Sequence, residues 1–288
     1  MTVVEALQSS TQHLKDAGID ECRLESEYLV AAAVNIPRTR LVLERHRPLQ
    51  KQARIQLNRW VTERAGRKPL AYVLGRQPFM DLDLAVDASV LIPRPETELL
   101  VERAVKVMGD SRRLVVDVGT GSGNIAISLA RQNPRMQVIG IDVSPEALRV
   151  ARANAKSHGI TAQCEWREGD LLAPLLQKGE KADMIVANLP YVKSGDIDAL
   201  QPELRWEPRG ALDGGPDGLK LIFRLIDQAI NALSAKGILL LEIGAEQSTE
   251  VTRKLVSSGA WENIQMFRDL AGLPRIIQSI RKDNTWTS

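Results

Sequence analysis

Cysteine, histidine and long apolar runs are scarce in this sequence of 288 residues, and each scarcity excludes a class of protein. The two cysteines, Cys22 and Cys164, lie far apart, and the three histidines are isolated from one another. We therefore expect no disulfide framework, no metal site and no histidine-based nucleophile. Two widely separated cysteines are typical of a reducing compartment, so we predict a cytoplasmic protein.

Membrane spans and a strong charge of one sign are also missing. No apolar run approaches the roughly 18 residues that a membrane helix needs, and we expect no export signal and no membrane partner. The formal net charge is only +2, which gives no overall attraction to a polyanion. With 44% hydrophobic residues, the chain can bury a full core, and we expect one large and one small domain.

An apolar strand followed by glycines and a helix organises the chain. Residues 114–118 end in Asp117 and Val118, and Gly119, Gly121 and Gly123 then separate this strand from a helix predicted from Asn124 to Gln132. Glycines allow left-handed turns and the close approach of a ligand, and the helix start directs free N–H groups at it. The spacing G-x-G-x-G differs from the dinucleotide pattern G-x-G-x-x-G and favours a nucleoside without a pyrophosphate.

The next predicted strand, residues 136–142, ends in a second acid, Asp142. In a βαβ unit this strand lies beside the first, and an acid at its carboxyl end can accept hydrogen bonds from both ribose hydroxyls of a nucleoside. Asp142 could also cap the following helix, although Ser144 suits that role better.

Further strands are predicted near residues 162–166, 183–188 and 238–243, with a helix over residues 219–233. This alternation predicts a doubly wound parallel sheet. The last two predicted strands, residues 263–268 and 275–281, are separated by a turn too short for a parallel crossover, so the final strand must be antiparallel. A seven-stranded sheet with this reversal resembles that of the S-adenosylmethionine-dependent methyltransferases.

The amino-terminal quarter reads as helices, of which the first is capped by Thr2 and the second is opened by Asp20. Apolar residues at helical spacing predict a small bundle core. They are Val3, Leu7, Leu14, Leu24, Tyr28, Leu29, Ala32, Leu49, Ala53, Leu57, Trp60 and Val61. Alternating apolar residues from Phe79 to Val86 predict a β-hairpin. We predict a helical substrate-recognition domain over residues 1–73, a hairpin linker over 74–92 and a methyltransferase domain over 93–288.

The helical region is locally basic, with ten Lys and Arg residues against two acids between Arg38 and Lys68. A solvated helix face is the favoured explanation, and the alternative is a docking surface for an acidic or RNA-associated partner. In the second case Arg54, Arg59 and Arg64 would meet acidic groups of the partner.

A tetrapeptide, Asn188-Leu189-Pro190-Tyr191, follows the predicted strand 183–188. Ligands of open α/β sheets bind at the carboxyl ends of the strands, so this segment should lie beside the methyl donor. The Asn188 side-chain oxygen and the Leu189 carbonyl could hold the two N–H groups of a planar amide or amine, and Tyr191 could stack on it. Asp170 is placed either to reach an adenine amino group or to cap a helix.

With these segments, the chain resembles the release factor glutamine methyltransferases, which methylate the side-chain amide of the glutamine in the Gly-Gly-Gln motif of bacterial peptide chain release factors. Residues 92–98, Ile-Pro-Arg-Pro-Glu-Thr-Glu, together with the helical amino-terminal region, carry the most specific part of the resemblance. The other matching segments are residues 69–75, 90–91, 119–123, 188–191, 214–219, 241–244 and 269–272.

The resemblance implies that S-adenosylmethionine and a substrate glutamine share one site. The implied cofactor residues are Asp117, Gly119, Thr120, Gly121, Ser122, Gly123, Asp142, Asp170, Leu171 and Asn188. The implied catalytic residues are Asn188, Leu189, Pro190 and Tyr191. The implied partner is a release factor; we expect a monomer and no direct nucleic-acid binding.

One residue departs from the family, which usually has proline where this chain has Leu189. Asn-Leu-Pro-Tyr is also similar to the motif of adenine amino-group methyltransferases that act on ribosomal RNA. That activity is therefore the alternative, and a non-enzymatic S-adenosylmethionine-binding protein is a third.

Overall fold

The computed structural model describes residues 1–109 and 113–283, and these fall into two compact units. Unit 1 contains Met1–Arg76 and Gln201–Trp206, and unit 2 contains the described residues of Gln77–Leu200 and Glu207–Ser288. The division at residues 73 and 92 stays a prediction. That residues 201–206 belong to unit 1 was not predicted. Among the described residues, no helix is both long enough and apolar enough to cross a membrane.

Unit 1 is helical. Thr2 begins α1 with a capping box, in which its hydroxyl accepts from the Glu5 N–H and the Glu5 carboxylate accepts from the Thr2 N–H at 2.8 Å. The prediction that Asp20 opens the second helix is wrong, because that helix starts two residues later, after Glu21, with no side-chain cap. The helices are α1 (Val3–Asp16), α2 (Cys22–Val34), α3 (Lys51–Ala65) and α4 (Leu70–Leu74), with a 3-10 turn at Arg38–Arg40.

The core of unit 1 follows most of the predicted apolar stripe, but α2 is rotated from the predicted face. Leu24 and Tyr28 are 37% and 40% exposed. Ser26 lies inside instead, because its hydroxyl donates to the Cys22 carbonyl of its own helix at 2.7 Å and so needs no water. At the surface, the Arg38 guanidinium covers the Tyr28 ring.

The basic stretch is not uniformly a surface, and the inclusion of Arg64 among partner-facing residues is wrong. Arg64 is only 5% exposed. Its guanidinium donates to Glu25 at 2.5 Å and to Glu203 at 3.0 Å, both within unit 1. The physical reason is helical spacing, since Arg64 follows Leu57 and Val61 on the buried stripe of α3. Arg54 and Arg59 are exposed.

Unit 2 contains a hairpin and, over its described residues, a seven-stranded sheet. Its first half contains β1 (Arg76–Phe79), β2 (Leu82–Ala85), α5 (Pro95–Met108), β3 (Leu114–Val118), α6 (Asn124–Gln132), β4 (Gln137–Asp142) and α7 (Pro145–Ser157). Its second half contains β5 (Cys164–Glu168), α8 (Ala173–Gln177), β6 (Ala182–Ala187), α9 (Lys220–Ala232), β7 (Leu233–Glu242), α10 (Ser248–Ser257), β8 (Trp261–Arg268) and β9 (Pro274–Arg281).

The strand order of the sheet is β5-β4-β3-β6-β7-β9-β8, which confirms the predicted doubly wound sheet with an antiparallel last strand. The strands β3, β4, β5, β6 and β7 pair in parallel, whereas β9 pairs antiparallel with both β7 and β8. The predicted strand at residues 238–243 is longer in the structure, where β7 begins at Leu233.

Two apolar layers cover the sheet. Alternate residues of a strand point to opposite faces, so Val116 and Val118 of β3 pack in the layer of α9, whereas Val115 packs in the layer of α5 and α6. Phe79 and Leu84 of the hairpin are buried in this second layer, which makes the predicted linker part of the core of unit 2. Because β3, β4 and β6 are parallel, their carboxyl ends meet at one edge of the sheet.

Candidate active site

A cavity of about 270 Å³ opens at this edge of the sheet in unit 2. Ten of the residues predicted for the site line it, namely Gly119, Thr120, Gly121, Ser122, Asp142, Asp170, Leu171, Asn188, Leu189 and Pro190. Three predicted residues lie outside the lining: Asp117, Gly123 and Tyr191. The structure also places Thr97 and Arg94 in the lining, and neither was predicted.

The glycine loop is held against the neighbouring strand by its own backbone. The N–H groups of Gly119 and Thr120 both donate to the Ile141 carbonyl, at 2.8 and 3.0 Å. Gly119 has φ +73°, and a Cβ atom there would lie 3.0 Å from the Leu189 Cδ2 atom. A side chain at this position would therefore strain the backbone and crowd the segment that follows β6.

Asp117 supports the loop from behind rather than facing the cavity. Its Oδ2 atom accepts from the Thr120 hydroxyl at 2.6 Å and from the Ala126 N–H at 3.2 Å. Complete burial raises the pKa of Asp117 to about 7, although these two hydrogen bonds favour the ionised form. Asp117 thus links the end of β3 to the first turn of α6, which fixes the shape of the loop between them.

Asp142 ends β4 with both carboxylate oxygens directed along the loop edge. Oδ2 accepts from the Gly121 N–H and Oδ1 from the Ser144 N–H, each at 2.9 Å. The helix cap is Ser144, whose hydroxyl accepts from the Ala147 N–H at 3.1 Å, so Asp142 is not needed for capping. Burial raises the pKa of Asp142, and its backbone hydrogen bonds oppose that rise. A carboxylate has about four acceptor sites in all, so these bonds leave it able to accept from a ligand hydroxyl.

Asp170 and Leu171 form the side of the cavity that follows β5. The Asp170 carboxylate accepts from Arg224 at 2.5 Å and is 57% exposed. The residue that precedes α8 is Leu172, without a side-chain cap, so Asp170 does not serve as a cap. Leu171 has φ +52° and is buried, and it contributes an apolar side chain to this wall of the cavity.

Asn188 and the glycine loop are neighbours because β3 and β6 pair in register. Val118 lies opposite Ala187, which places the next residues, Gly119 and Asn188, side by side at the sheet edge. The segment is held further along its length by two hydrogen bonds, from the Val192 N–H to the Leu212 carbonyl at 3.0 Å and from the Gly214 N–H to the Val192 carbonyl at 2.8 Å.

The Tyr191 ring does not line the cavity. Its backbone carbonyl accepts from the Gln247 side chain at 3.0 Å, and a Cβ atom on Gly244 would lie 3.5 Å from its Cδ2 atom. Burial raises the pKa of the Tyr191 phenol. Its role as an aromatic wall for the substrate therefore stays a prediction.

Three polar residues in or behind the cavity, Thr97, Glu207 and Glu242, were not predicted from sequence spacing. Thr97 accepts a hydrogen bond from the Asn188 amide, and Glu242 accepts one from the Thr97 hydroxyl. Glu207 is buried and accepts from the Ile92 N–H at 3.0 Å and from Arg94. Thr97 and Glu242 occur in segments that carry the family resemblance, which was the only available signal; Glu207 had none.

Both the amino-terminal region and the sheet domain of the chain match known protein families. A family model described as "Methyltransferase domain" matches residues 110–265, and one described as "PrmC N-terminal domain" matches residues 5–75. The release factor glutamine methyltransferase of Moorella thermoacetica is 39% identical over 98% of this chain and 100% of its own length. That of Geobacter sulfurreducens is 38% identical over 96% and 95%. A solved methyltransferase from Pyrococcus furiosus shares the fold, with 15% identity, a TM-score of 0.54 and coverage of 77% of this chain and 98% of that one.

Proposed function

The chain belongs to the release factor glutamine methyltransferase family, and from that premise we propose that it methylates the side-chain amide nitrogen of the glutamine in the Gly-Gly-Gln motif of release factors. The observation that carries the proposal is the position of Asn188. Its amide N–H donates to Thr97 while its side chain also borders the cavity, next to the glycine loop. The side-chain carbonyl oxygen of Asn188 is therefore the group that can accept a hydrogen bond from the substrate amide.

The residues around the cavity fit S-adenosylmethionine. Gly119 has a positive φ and carries no side chain, so a ligand could lie directly against the backbone of the loop. Asp142 would accept from the ribose hydroxyls, and Asp170 and Leu171 would contact the adenine. When bound, S-adenosylmethionine supplies a methyl group on a positively charged sulfonium.

On the acceptor side, orientation of the substrate is the main task. An amide nitrogen is a weak nucleophile because its lone pair is delocalised into the carbonyl group. The Asn188 side-chain oxygen and the Leu189 carbonyl would accept its two N–H groups and so direct the remaining lone pair at the methyl donor. This arrangement does not need a histidine, and the buried apolar surface of Leu189 and Leu171 excludes water from the reacting groups.

The proposed function is tested by supplying labelled S-adenosylmethionine with either intact release factor or ribosomal RNA. We expect label in the release factor, and none in a factor whose motif glutamine is replaced by alanine. Label in RNA adenine alone would replace the proposal with the adenine alternative. Binding of the cofactor without transfer to either acceptor would favour the non-enzymatic alternative.

Leu189→Pro restores the usual family motif, and we expect glutamine methylation to stay within about tenfold of wild type. The Leu189 carbonyl is the group used, and Pro190 already favours an extended backbone at position 189. Initial rates on intact release factor measure the effect. Loss of activity towards release factor in this variant would contradict the assigned role of the carbonyl.

We also propose that the helical unit selects the protein substrate, because a single glutamine side chain buries too little surface to identify one protein. The exposed residues Arg54 and Arg59 are suited to steer an acidic surface. Changing both to Glu should slow association with release factor and flatten its dependence on ionic strength. Stopped-flow kinetics at two salt concentrations measure this.

The matched control is a double variant in which Lys106 and Lys156, two exposed residues of unit 2, are replaced by Glu. It has the same change in net charge, so it should leave the salt dependence of association unaltered if steering is local to α3. Equal effects of the two double variants would assign the basic face of α3 to a solvated surface.

The cytoplasmic location and the monomeric state predicted from the sequence belong to the same proposal. Cys22 and Cys164 are both free thiols, which suits a reducing compartment. Size-exclusion chromatography with light scattering tests the monomeric state.

A further inference from the structure

A short series of hydrogen bonds runs from the cavity into the protein interior. The Asn188 Nδ2 atom donates to Thr97 Oγ1 at 3.0 Å, and Thr97 Oγ1 donates to Glu242 Oε2 at 2.7 Å. Asn188 and Thr97 line the cavity, whereas Glu242, the last residue of β7, lies behind them and is 1% exposed. Within the described part of the chain, Glu242 Oε1 has no hydrogen-bond partner.

The directions of these hydrogen bonds follow from the chemistry of the three groups. An ionised carboxylate can only accept, and a threonine hydroxyl has a single proton to donate. Thr97 uses that proton on Glu242 and offers only lone pairs to Asn188. The two orientations of an asparagine amide have nearly the same shape and differ mainly in their hydrogen bonds. Thr97 in this state therefore selects the orientation that brings the amide NH₂ group towards it.

We propose that Glu242 is a positioning residue that acts through Thr97 and keeps the Asn188 amide in the orientation whose carbonyl oxygen faces the cavity. The inference rests on the proposed function, because this orientation matters only when the acceptor brings N–H groups to Asn188. With the amide reversed, its NH₂ group would face the NH₂ group of the substrate glutamine, and two donors would oppose each other.

The surroundings of Glu242 make its effect on the orientation of the Asn188 amide sensitive to pH. Burial raises the pKa of Glu242 to about 7, and the negative charge of Glu96 on α5 adds to the rise. The hydrogen bond from Thr97, the positive charge of Arg275 on β9 and a weaker interaction with the Asn188 amide itself oppose it. Tyr191, after β6, also faces this carboxylate and is expected to stay neutral because its own pKa is raised.

Protonation of Glu242 changes the pattern of donors. A protonated carboxyl group can donate its O–H to Thr97, which frees the threonine proton to bond the Asn188 carbonyl oxygen instead. The reversed amide is then as well satisfied as the original one. Turnover should therefore fall as the pH falls through about 7, because the fraction of molecules with the productive amide decreases.

The test compares Glu242→Gln, Thr97→Ser and Thr97→Val in the full-length protein. In Glu242→Gln we expect kcat at pH 8 to fall about tenfold, and the dependence of kcat on pH near neutrality to disappear. Thr97→Ser keeps the hydroxyl and should retain the wild-type pH profile, whereas Thr97→Val should behave like Glu242→Gln. Affinity for S-adenosylmethionine by calorimetry should stay within about twofold in all three, because none of them touches the glycine loop.

The matched control is Glu246→Gln, which makes the same chemical change at an exposed position on the loop after β7. It should leave both kcat and the pH profile at their wild-type values. A Glu242→Gln enzyme that keeps the wild-type profile would overturn the inference while leaving the proposed function intact.

A second measurement needs no turnover. The side-chain amide signals of Asn188, observed by NMR in the protein alone, should shift with pH in wild type with a midpoint near that of Glu242, and should stay constant in Glu242→Gln. Asn188 signals that do not titrate in wild type would overturn the inference. Inactivity of the protein on release factor would contradict the proposed function, and the NMR measurement does not depend on that activity.

Discussion

Asn188→Ala should lower kcat for glutamine methylation about 100- to 1,000-fold, the range seen when one preorganised hydrogen-bonding group is removed from a transition state. Asn188 supplies a side-chain oxygen that accepts a hydrogen bond from the substrate amide in the cavity, and the orientation of this side chain is set by Thr97. Without it, the substrate amide keeps a single partner, the Leu189 carbonyl, and its lone pair is no longer aimed. Single-turnover assays on intact release factor measure the change.

Affinity for S-adenosylmethionine and the melting temperature should change little in Asn188→Ala, since the residue is half-buried at the end of a strand whose core contacts remain. Asn231→Ala, an exposed asparagine at the end of α9, is the matched control and should be fully active. Turnover of Asn188→Ala within about threefold of wild type would remove Asn188 from the proposed catalytic set.

Asp142→Ala should weaken the binding of S-adenosylmethionine at least about 100-fold. Two hydrogen bonds from ribose hydroxyls to a carboxylate are each worth about 1.5 to 3 kcal/mol, and every 1.4 kcal/mol is tenfold in affinity. The same change removes the acceptor for the Gly121 and Ser144 N–H groups, so the glycine loop loses support as well as its ligand contact. Isothermal calorimetry measures the dissociation constant directly.

Asp227→Ala is the control for loss of one carboxylate, because Asp227 is exposed on α9 and is not part of the cavity. Its affinity should equal that of wild type. Asp170→Ala should have a smaller effect than Asp142→Ala, since the Asp170 carboxylate is half-exposed and already paired with Arg224. Cofactor affinity that is unchanged in Asp142→Ala would refute the ribose assignment.

The glycine loop, the alternation of strands and helices, and the antiparallel end of the sheet were all predictable, because each depends on residues close together in sequence. Positive φ at Gly119 is a property of that residue alone. A turn of a few residues between β8 and β9 permits only one relative direction of the strands. The position of Asn188 beside the loop also followed, since parallel strands bring their carboxyl ends to one edge.

Burial and side-chain partnership were not predictable in the same way. Arg64 was counted as a surface charge because composition does not show which side of α3 faces the core, and Glu203, one of its partners, is 139 residues distant in sequence. Tyr191 was expected in the cavity because it follows Asn188 and Leu189. Its backbone carbonyl, however, accepts from Gln247, and the residue is not among those that line the cavity.

The sequence by itself therefore determined the fold, the glycine loop and the acids at the strand ends, all of which depend on local periodicity and on residue types with narrow conformational or chemical roles. Only the tertiary structure decided how Asn188 is oriented. Its partner Thr97 is 91 residues away, and Thr97 in turn meets Glu242 over a separation of 145 residues. Hydrogen bonds between side chains on three elements depend on distances and angles that exist only once the sheet and α5 are packed together.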